Sequence, residues 1–260
     1  MTTTTDTRGR AVDRVRALLE AEDSVELRDG YLDAIGGFLP ESTRGAQDIM
    51  LTGALPKVYE RWWRPAWGRI AKGLRGPSME DEHLIARRLL DLASGEAVLD
   101  VACGTGNFTR RFARAVGPEG LAVGVDLSET MLLRAVRETR SAQLDRQAVY
   151  LRASAEELPF LDHTFDAACC FAGLNLMADP HAAIADMTRV LAPGGRIALF
   201  TSARFRTPGL RFWQELATGP SGMHMFGQDE LTGALRANGF TDVRRLLSGT
   251  TQFVGGVLAG

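Results

Sequence analysis

The sequence predicts an α/β fold: a doubly wound sheet of seven strands, mostly parallel with one antiparallel strand, behind an N-terminal helical cap. Three observations predict it. From residue 95 onward, short apolar runs alternate with helix-length amphipathic segments, which is the pattern of βαβ crossovers. The first such run, Ala97–Val101, leads into a glycine loop, Gly104-Thr-Gly106, and then into a helical segment. Composition is ordinary, with 45% apolar and 24% charged residues in a chain of 260. That excludes a disordered or fibrous chain and supplies a core.

The strands are expected at Ala97–Val101, Ala122–Val125, Val149–Arg152, Phe165–Phe171 and Arg196–Thr201, with a closing pair at Phe240–Leu247 and Thr251–Leu258. Helical spacing falls at Phe108–Val116, Glu129–Ala142, His181–Leu191, Leu210–Thr218 and Gln228–Asn238. Pro193-Gly194-Gly195 stops the third of these, and Gly239 caps the last. Upstream, residues 1–10 read as a polar tail and Val12–Glu22 as a helix. Residues 26–48 are broken by Gly30, Gly36, Gly37, Pro40 and Gly45, and read as loop with short elements. Ala54–Leu74 is helical with a break near Pro65. Ser78 is an N-cap followed by Glu80, Asp81 and Glu82, where the helix dipole favours acids. The chain thus divides into an N-terminal segment (1–50), a helical cap or lid (51–94) and a ligand-binding domain (95–260).

Lys and Arg number 30 against 32 Asp and Glu, a net charge of −2, which argues against a dedicated nucleic-acid binder. The 3 cysteines, Cys103, Cys169 and Cys170, make neither a disulfide framework nor a zinc spacing, and no metal is expected. No apolar stretch reaches signal-peptide or membrane-span form, so the expectation is a cytoplasmic protein.

The stretch Val98–Thr109 carries the chemistry. Glycines let a ligand approach the backbone closely. Asp100 ends the first strand, and strand carboxyl ends are where open α/β sheets bind ligands. The lysine of a P-loop is missing, and Thr109 stands where a dinucleotide fingerprint has its third glycine. A carboxylate at Asp100 repels a pyrophosphate but suits an ammonium group. Asp126 follows Gly106 by 20 positions, at the end of the second strand, where a carboxylate can accept from both ribose hydroxyls. An acid near an amine and an acid under a ribose describe S-adenosylmethionine better than a dinucleotide.

Five motifs then follow in order: Leu99–Gly106, Gly124–Met131, Ala155–Phe160, Phe165-Asp166 and Arg189–Gly195. On these the chain resembles the class I S-adenosylmethionine-dependent methyltransferases, specifically those similar to ubiquinone/menaquinone C-methyltransferases (methyltransferase type 11). The resemblance covers roughly residues 95–203. Asp29–Asp33 and Val58–Pro65 resemble a bacterial and plastid subgroup that often begins with a cysteine-rich zinc ribbon. With no cysteine before Cys103, any such ribbon is degenerate and metal-free.

The resemblance implies a Rossmann-like sheet and S-adenosyl-L-methionine as cofactor. It assigns Asp100, Ala102, Gly104 and Gly106 to the methionine part, Asp126 to the ribose, and Leu127 and Met131 to the adenine faces. Ser154 and Ala155 would meet the adenine edge, with Ser154 replacing the family's usual acid. Phe171 would touch the methionine portion.

Many relatives place His or Arg at the position of Asn175, and Asn is no base at neutral pH. The catalytic nominations are therefore His224, in a loop expected near the pocket, and Tyr59. Tyr59 shares one helical face with Trp62, Trp63 and Trp67 and could lie against the sulfonium. With Phe205, Phe212, Trp213, Met223, Met225 and Phe226, these residues imply an apolar cap and a small hydrophobic substrate such as a quinone, polyketide or terpenoid of secondary metabolism. The expected activity is methyl transfer to carbon or oxygen of such a molecule. The alternative is a cofactor-binding protein of the same fold that catalyses a cyclisation or rearrangement without methyl transfer. No nucleic acid is expected as partner, and the oligomeric state is open, a homodimer included.

Overall fold

Parallel strands present apolar side chains on both faces, so both faces must be covered. The computed structural model describes residues 4–21, 25–36, 78–205, 207, 209 and 223–260. Among them, helices cover both faces of one sheet. The strands are β1 (Glu26–Arg28), β2 (Tyr31–Asp33), β3 (Ala97–Val101), β4 (Leu121–Asp126), β5 (Ala148–Arg152), β6 (Phe165–Phe171), β7 (Leu191–Ser202), β8 (Phe240–Ser248) and β9 (Thr251–Leu258). Their order is β1-β2-β5-β4-β3-β6-β7-β9-β8. The six strands from β2 to β7 in that order are mutually parallel. β9 lies antiparallel between β7 and β8.

The doubly wound α/β class holds, but the sheet has nine strands among the described residues, where the sequence predicts seven. The two extra strands form a hairpin from the stretch read as loop, with β1 antiparallel to β2 and β2 parallel to β5. Each is three residues long, too short to show an alternation. Yet Tyr31 and Leu32 are fully buried.

The helices are α1 (Thr4–Arg16), α2 (Met79–Leu90), α3 (Asn107–Val116), α4 (Glu129–Ser141), α5 (Pro180–Arg189) and α6 (Glu230–Ala237). One face of the sheet packs Leu99, Val101, Val123 and Leu151 against α1, α5 and α6. The other packs Val98, Ala122, Ala148 and Ala198 under α2 and α3. Tyr150, on that same face, packs under Leu132, Ala135 and Val136 of α4.

Two elements depart from expectation in their bounds. α1 begins within the Thr tract and ends at Arg16, short of the predicted Glu22. Its position is set by tertiary bonds: Arg14 donates to the carbonyls of Gly120 and Glu119 at 3.1 and 2.9 Å, and Leu19 already bridges Phe160 as extended chain. β7 runs through Pro193-Gly194-Gly195, with a register shift against β6 that absorbs the turn. α2 has the predicted Ser78 N-cap, closed into a capping box by Asp81. It packs Ala86 and Leu90 onto the sheet face.

The helices expected at Ala54–Leu74 and Leu210–Thr218 lie outside the described residues, as do Tyr59, Trp62, Trp63, Trp67, Phe212 and Trp213. Of the apolar residues assigned to the cap, Phe226 is instead fully buried in the core beside α6.

Gly106 opens α3 with φ +71°, and a Cβ there would collide with the Tyr150 hydroxyl. That hydroxyl is itself held by the Thr139 hydroxyl at 2.7 Å. Strain and overpacking together should make Gly106→Ala cost about 2–4 kcal/mol, read as a lower urea midpoint with an unchanged slope.

Candidate active site

The sheet reverses its winding between β3 and β6: the chain leaves β3 toward β4 on one side and β6 toward β7 on the other. Such switch points open a crevice at the strand carboxyl ends. Here the crevice is lined by the loops after β3, β4, β5 and β6. The first and last of these loops nearly touch, since a Cβ on Gly173 would collide with Ala102. Both run through left-handed backbone, Ala102 at φ +56° and Ala172 at φ +64°. Left-handed alanine costs roughly 1–2 kcal/mol, and such strain concentrates at functional sites. Gly104, at φ +54°, has nothing within 4 Å of where its Cβ would be, and it lines the crevice.

Two carboxylates flank this loop. Asp126 ends β4 and accepts the Gly104 amide at Oδ2 and the Ser128 amide at Oδ1, both at 2.8 Å. A carboxylate has about four acceptor positions, so sites remain on the side that faces the crevice. Burial raises its pKa, and the backbone amides oppose that rise. Asp100 lies deeper, on the face of the sheet under α3. The Thr109 hydroxyl donates to its Oδ2 at 2.5 Å and the Cys169 thiol to its Oδ1 at 3.4 Å. Burial pushes its pKa up to about 6.

Of the residues nominated for the cofactor, Asp100, Ala102, Gly104, Asp126, Leu127, Met131, Ser154, Ala155 and Phe171 line the crevice together. Gly106 does not, and its requirement is the contact with Tyr150. The Ser154 hydroxyl accepts the Glu156 amide at 3.2 Å, a local turn. Phe108, Leu176 and Met177 add an apolar wall, with the rings of Phe108 and Phe171 4.5 Å apart.

Of the two catalytic nominations, only His224 falls within the described residues. Tyr59 lies outside the described residues. His224 is not among the lining residues, and its Nε2 meets Glu230 Oε1 at 2.8 Å, with His181 3.3 Å from the same oxygen. Asn175 is buried and fully engaged: its side-chain amide nitrogen donates to the Ser202 hydroxyl and to the His224 carbonyl, its Oδ1 accepts the Ser202 amide, and its backbone carbonyl accepts the His224 amide. Asn175 is therefore a staple between the loop after β6 and the segment before α6. Thr109 and Cys169 are site residues without a sequence signal of their own, because their function is to hold Asp100. Thr109 was informative in the sequence only as a missing glycine.

Residues 98–195, a span that contains the glycine loop and every crevice-lining residue, match the methyltransferase domain family. This span is similar to a methyltransferase domain. The chain is 42% identical over 111 residues to a ubiquinone/menaquinone biosynthesis C-methyltransferase of Saccharophagus degradans, a match covering 43% of this chain and 45% of that one. It is 38% identical over 124 residues to a demethylmenaquinone methyltransferase of Bacillus cereus, covering 48% and 52%. The matches span about half the length of these relatives. The solved structure of the cyclase SpnF superposes with a TM-score of 0.61 at 21% identity, over 71% of this chain and 83% of that one, and shares the fold.

S-adenosyl-L-methionine is the cofactor of such domains, and the residues of this one fit it. The open space at Gly104 admits a ligand against the backbone, Asp126 retains acceptor capacity for hydroxyls, and the buried negative charge of Asp100 suits a cation above it.

The Asp100 value has a consequence for stability. An ordinary aspartate titrates near 3.8, and Asp100 titrates near 6. The folded protein thus holds an extra proton between those values. This group's contribution is largest below about 3.8 and is lost as pH rises through about 6. Asp100→Asn should remove that slope and stabilise the ligand-free protein above the transition by about 1–3 kcal/mol, measured by urea unfolding across the pH range.

Proposed function

We propose that this protein transfers a methyl group from S-adenosyl-L-methionine to carbon or oxygen of a small hydrophobic metabolite, quinone-like in character. The observation that carries the reading is the Asp126 carboxylate, pinned to the Gly104 amide and lining the crevice. When bound, the cofactor supplies an electrophilic methyl on a sulfonium. Asp126 accepts from the ribose hydroxyls, Leu127 and Met131 flank the adenine, and the Ala155 amide meets its edge. Asp100 complements the positive charge from beneath the loop. Alignment of acceptor and methyl group can contribute about 7–11 kcal/mol.

Phe108, Phe171, Leu176 and Met177 support an apolar acceptor, because they give the crevice an apolar part of its lining. The relatives, a methyltransferase of ubiquinone/menaquinone biosynthesis and a demethylmenaquinone methyltransferase, support the same class. Tyr59 is retained as the proposed aromatic partner of the sulfonium. His224 is assigned to anchoring the segment before α6, through its bond to Glu230. We place the acceptor among small molecules of secondary metabolism and the protein in the cytoplasm; no described helix is long and apolar enough to cross a membrane.

A second reading is a cyclisation or rearrangement with the cofactor bound but unreacted. It is favoured by one observation: among the described residues, no His, Lys or Tyr lines the crevice. The two readings separate in one assay. Incubation with S-adenosyl-L-methionine and a panel of quinol and phenolic acceptors should release S-adenosyl-L-homocysteine, detected by mass spectrometry. Acceptor turnover without that product would select the second reading.

Asp126→Ala should weaken cofactor binding at least about 100-fold, the worth of two hydrogen bonds to a charged group. Calorimetry reads the loss, and an unchanged far-ultraviolet spectrum shows the fold intact. Unchanged affinity would remove the site assignment.

A further inference from the structure

The hairpin β1–β2 carries the motif Asp29-Gly-Tyr-Leu-Asp33, which the proposed chemistry leaves unused. None of its residues lines the crevice. Its bonds nevertheless converge on the loop that follows Asp126. In register, Asp126 ends β4 beside Arg152 at the end of β5, and Arg152 lies beside Asp33 at the end of β2.

Asp33 has a fully buried side chain. Its Oδ1 accepts the amides of Ile35 and Gly36 at 3.1 and 3.0 Å, and its Oδ2 faces Arg28 at 3.3 Å and Arg152 at 3.5 Å. Arg152, with its side chain 12% exposed, then spans two backbones. Its Nη1 donates to the Gly36 carbonyl at 3.0 Å, and its Nε donates to the Leu127 carbonyl at 3.1 Å. Tyr31 is fully buried, and its hydroxyl donates to Glu129 Oε1 at 3.0 Å. Burial and the Glu129 carboxylate push that phenol up to about 12, so it remains a donor at neutral pH.

The loop 127–129 is therefore clamped from two sides. Asp126 holds it from within through the Ser128 amide. Arg152 and Tyr31 hold it from without, at Leu127 and Glu129. A hairpin that merely extended the sheet would need its ladder bonds alone. Here a buried carboxylate faces a guanidinium whose Nε ends on the carbonyl of a crevice-lining residue. Hydrogen bonds to a charged donor are stronger and more directional than neutral ones, and a pre-ordered loop spares the ligand the cost of ordering it.

We propose that Tyr31, Asp33 and Arg152 are positioning residues that pre-form the adenine- and ribose-facing wall of the crevice, so that the N-terminal hairpin sets affinity for the nucleoside half of the cofactor. This rests on the cofactor reading given above. The nucleoside half alone should feel it, so adenosine is the discriminating probe beside S-adenosyl-L-homocysteine.

The test is calorimetric titration of the full chain, as wild type, Tyr31→Phe and Arg152→Met, with each of the two ligands, alongside ligand-free thermal melts. The variants should lose about threefold to tenfold in affinity, by the same factor for both ligands, as expected for one hydrogen bond each. Tyr31→Phe should do so with an unchanged ligand-free melting temperature. Unchanged affinity in folded variants, whether or not melting falls, would make the hairpin an edge of the sheet and overturn the proposal. Should Arg152→Met fail to fold, Tyr31→Phe decides alone. A wild-type protein that binds neither ligand would sink the cofactor reading itself, and this inference with it.

Discussion

The site depends on a buried negative charge that the protein holds at some cost. Asp100 sits on the sheet face beneath α3, and its two oxygens are occupied by groups from two other elements, Thr109 of α3 and Cys169 of β6. Neither partner carries a charge. Burying an ion without a counter-ion is unfavourable, and its upward pKa shift expresses that. The arrangement leaves a carboxylate without a charged partner in the lining of the crevice, beside the glycine loop. It also ties β3, α3 and β6 together at the one place where the sheet opens. The ligand chemistry and the local fold therefore have a common origin.

Much of this was legible in the chain, for physical reasons that differ by element. Buried parallel strands must be apolar on both faces, so β3 and β6 fall at the predicted residues. Ser78 announces α2 because few residues can satisfy a helix's first amides. Gly104 and Asp126 were readable together because a glycine loop and a strand-end acid make sense only as a pair. The hairpin at Glu26–Asp33 was not readable, because three-residue strands carry no period and their stability comes from contacts with β5 and α4. Gly106 had a legible need for glycine but a misleading reason: its crowding comes from Tyr150, 44 positions along the chain.

Polar groups around the crevice divide by whether their bonding capacity is already used. Asn175 is used up on its own neighbours, and His224 is joined to Glu230. Asp126 is only partly engaged, and Gly104 faces empty space. This division separates residues that hold the walls from residues that can meet a ligand, and it does so where residue type alone misleads. A histidine is a familiar catalyst, yet His224 is bonded to Glu230 and does not line the crevice. An alanine is not, yet Ala102 and Ala172 adopt the strained turns that bring two loops together.

β9 is the last strand along the chain, yet it lies inside the sheet, with β7 on one side and β8 on the other. Among the described residues, β8 pairs with the remainder of the sheet only through it. During synthesis the exposed edge of β7 must therefore wait, unpaired, until residues 251–258 emerge. The far edge of the sheet closes by non-local antiparallel pairing of β9 between β7 and β8. Phe253 and Val254 of β9 are both fully buried. Slow, non-local closure of this kind exposes strand edges to association, which makes the nascent chain more vulnerable than the finished one.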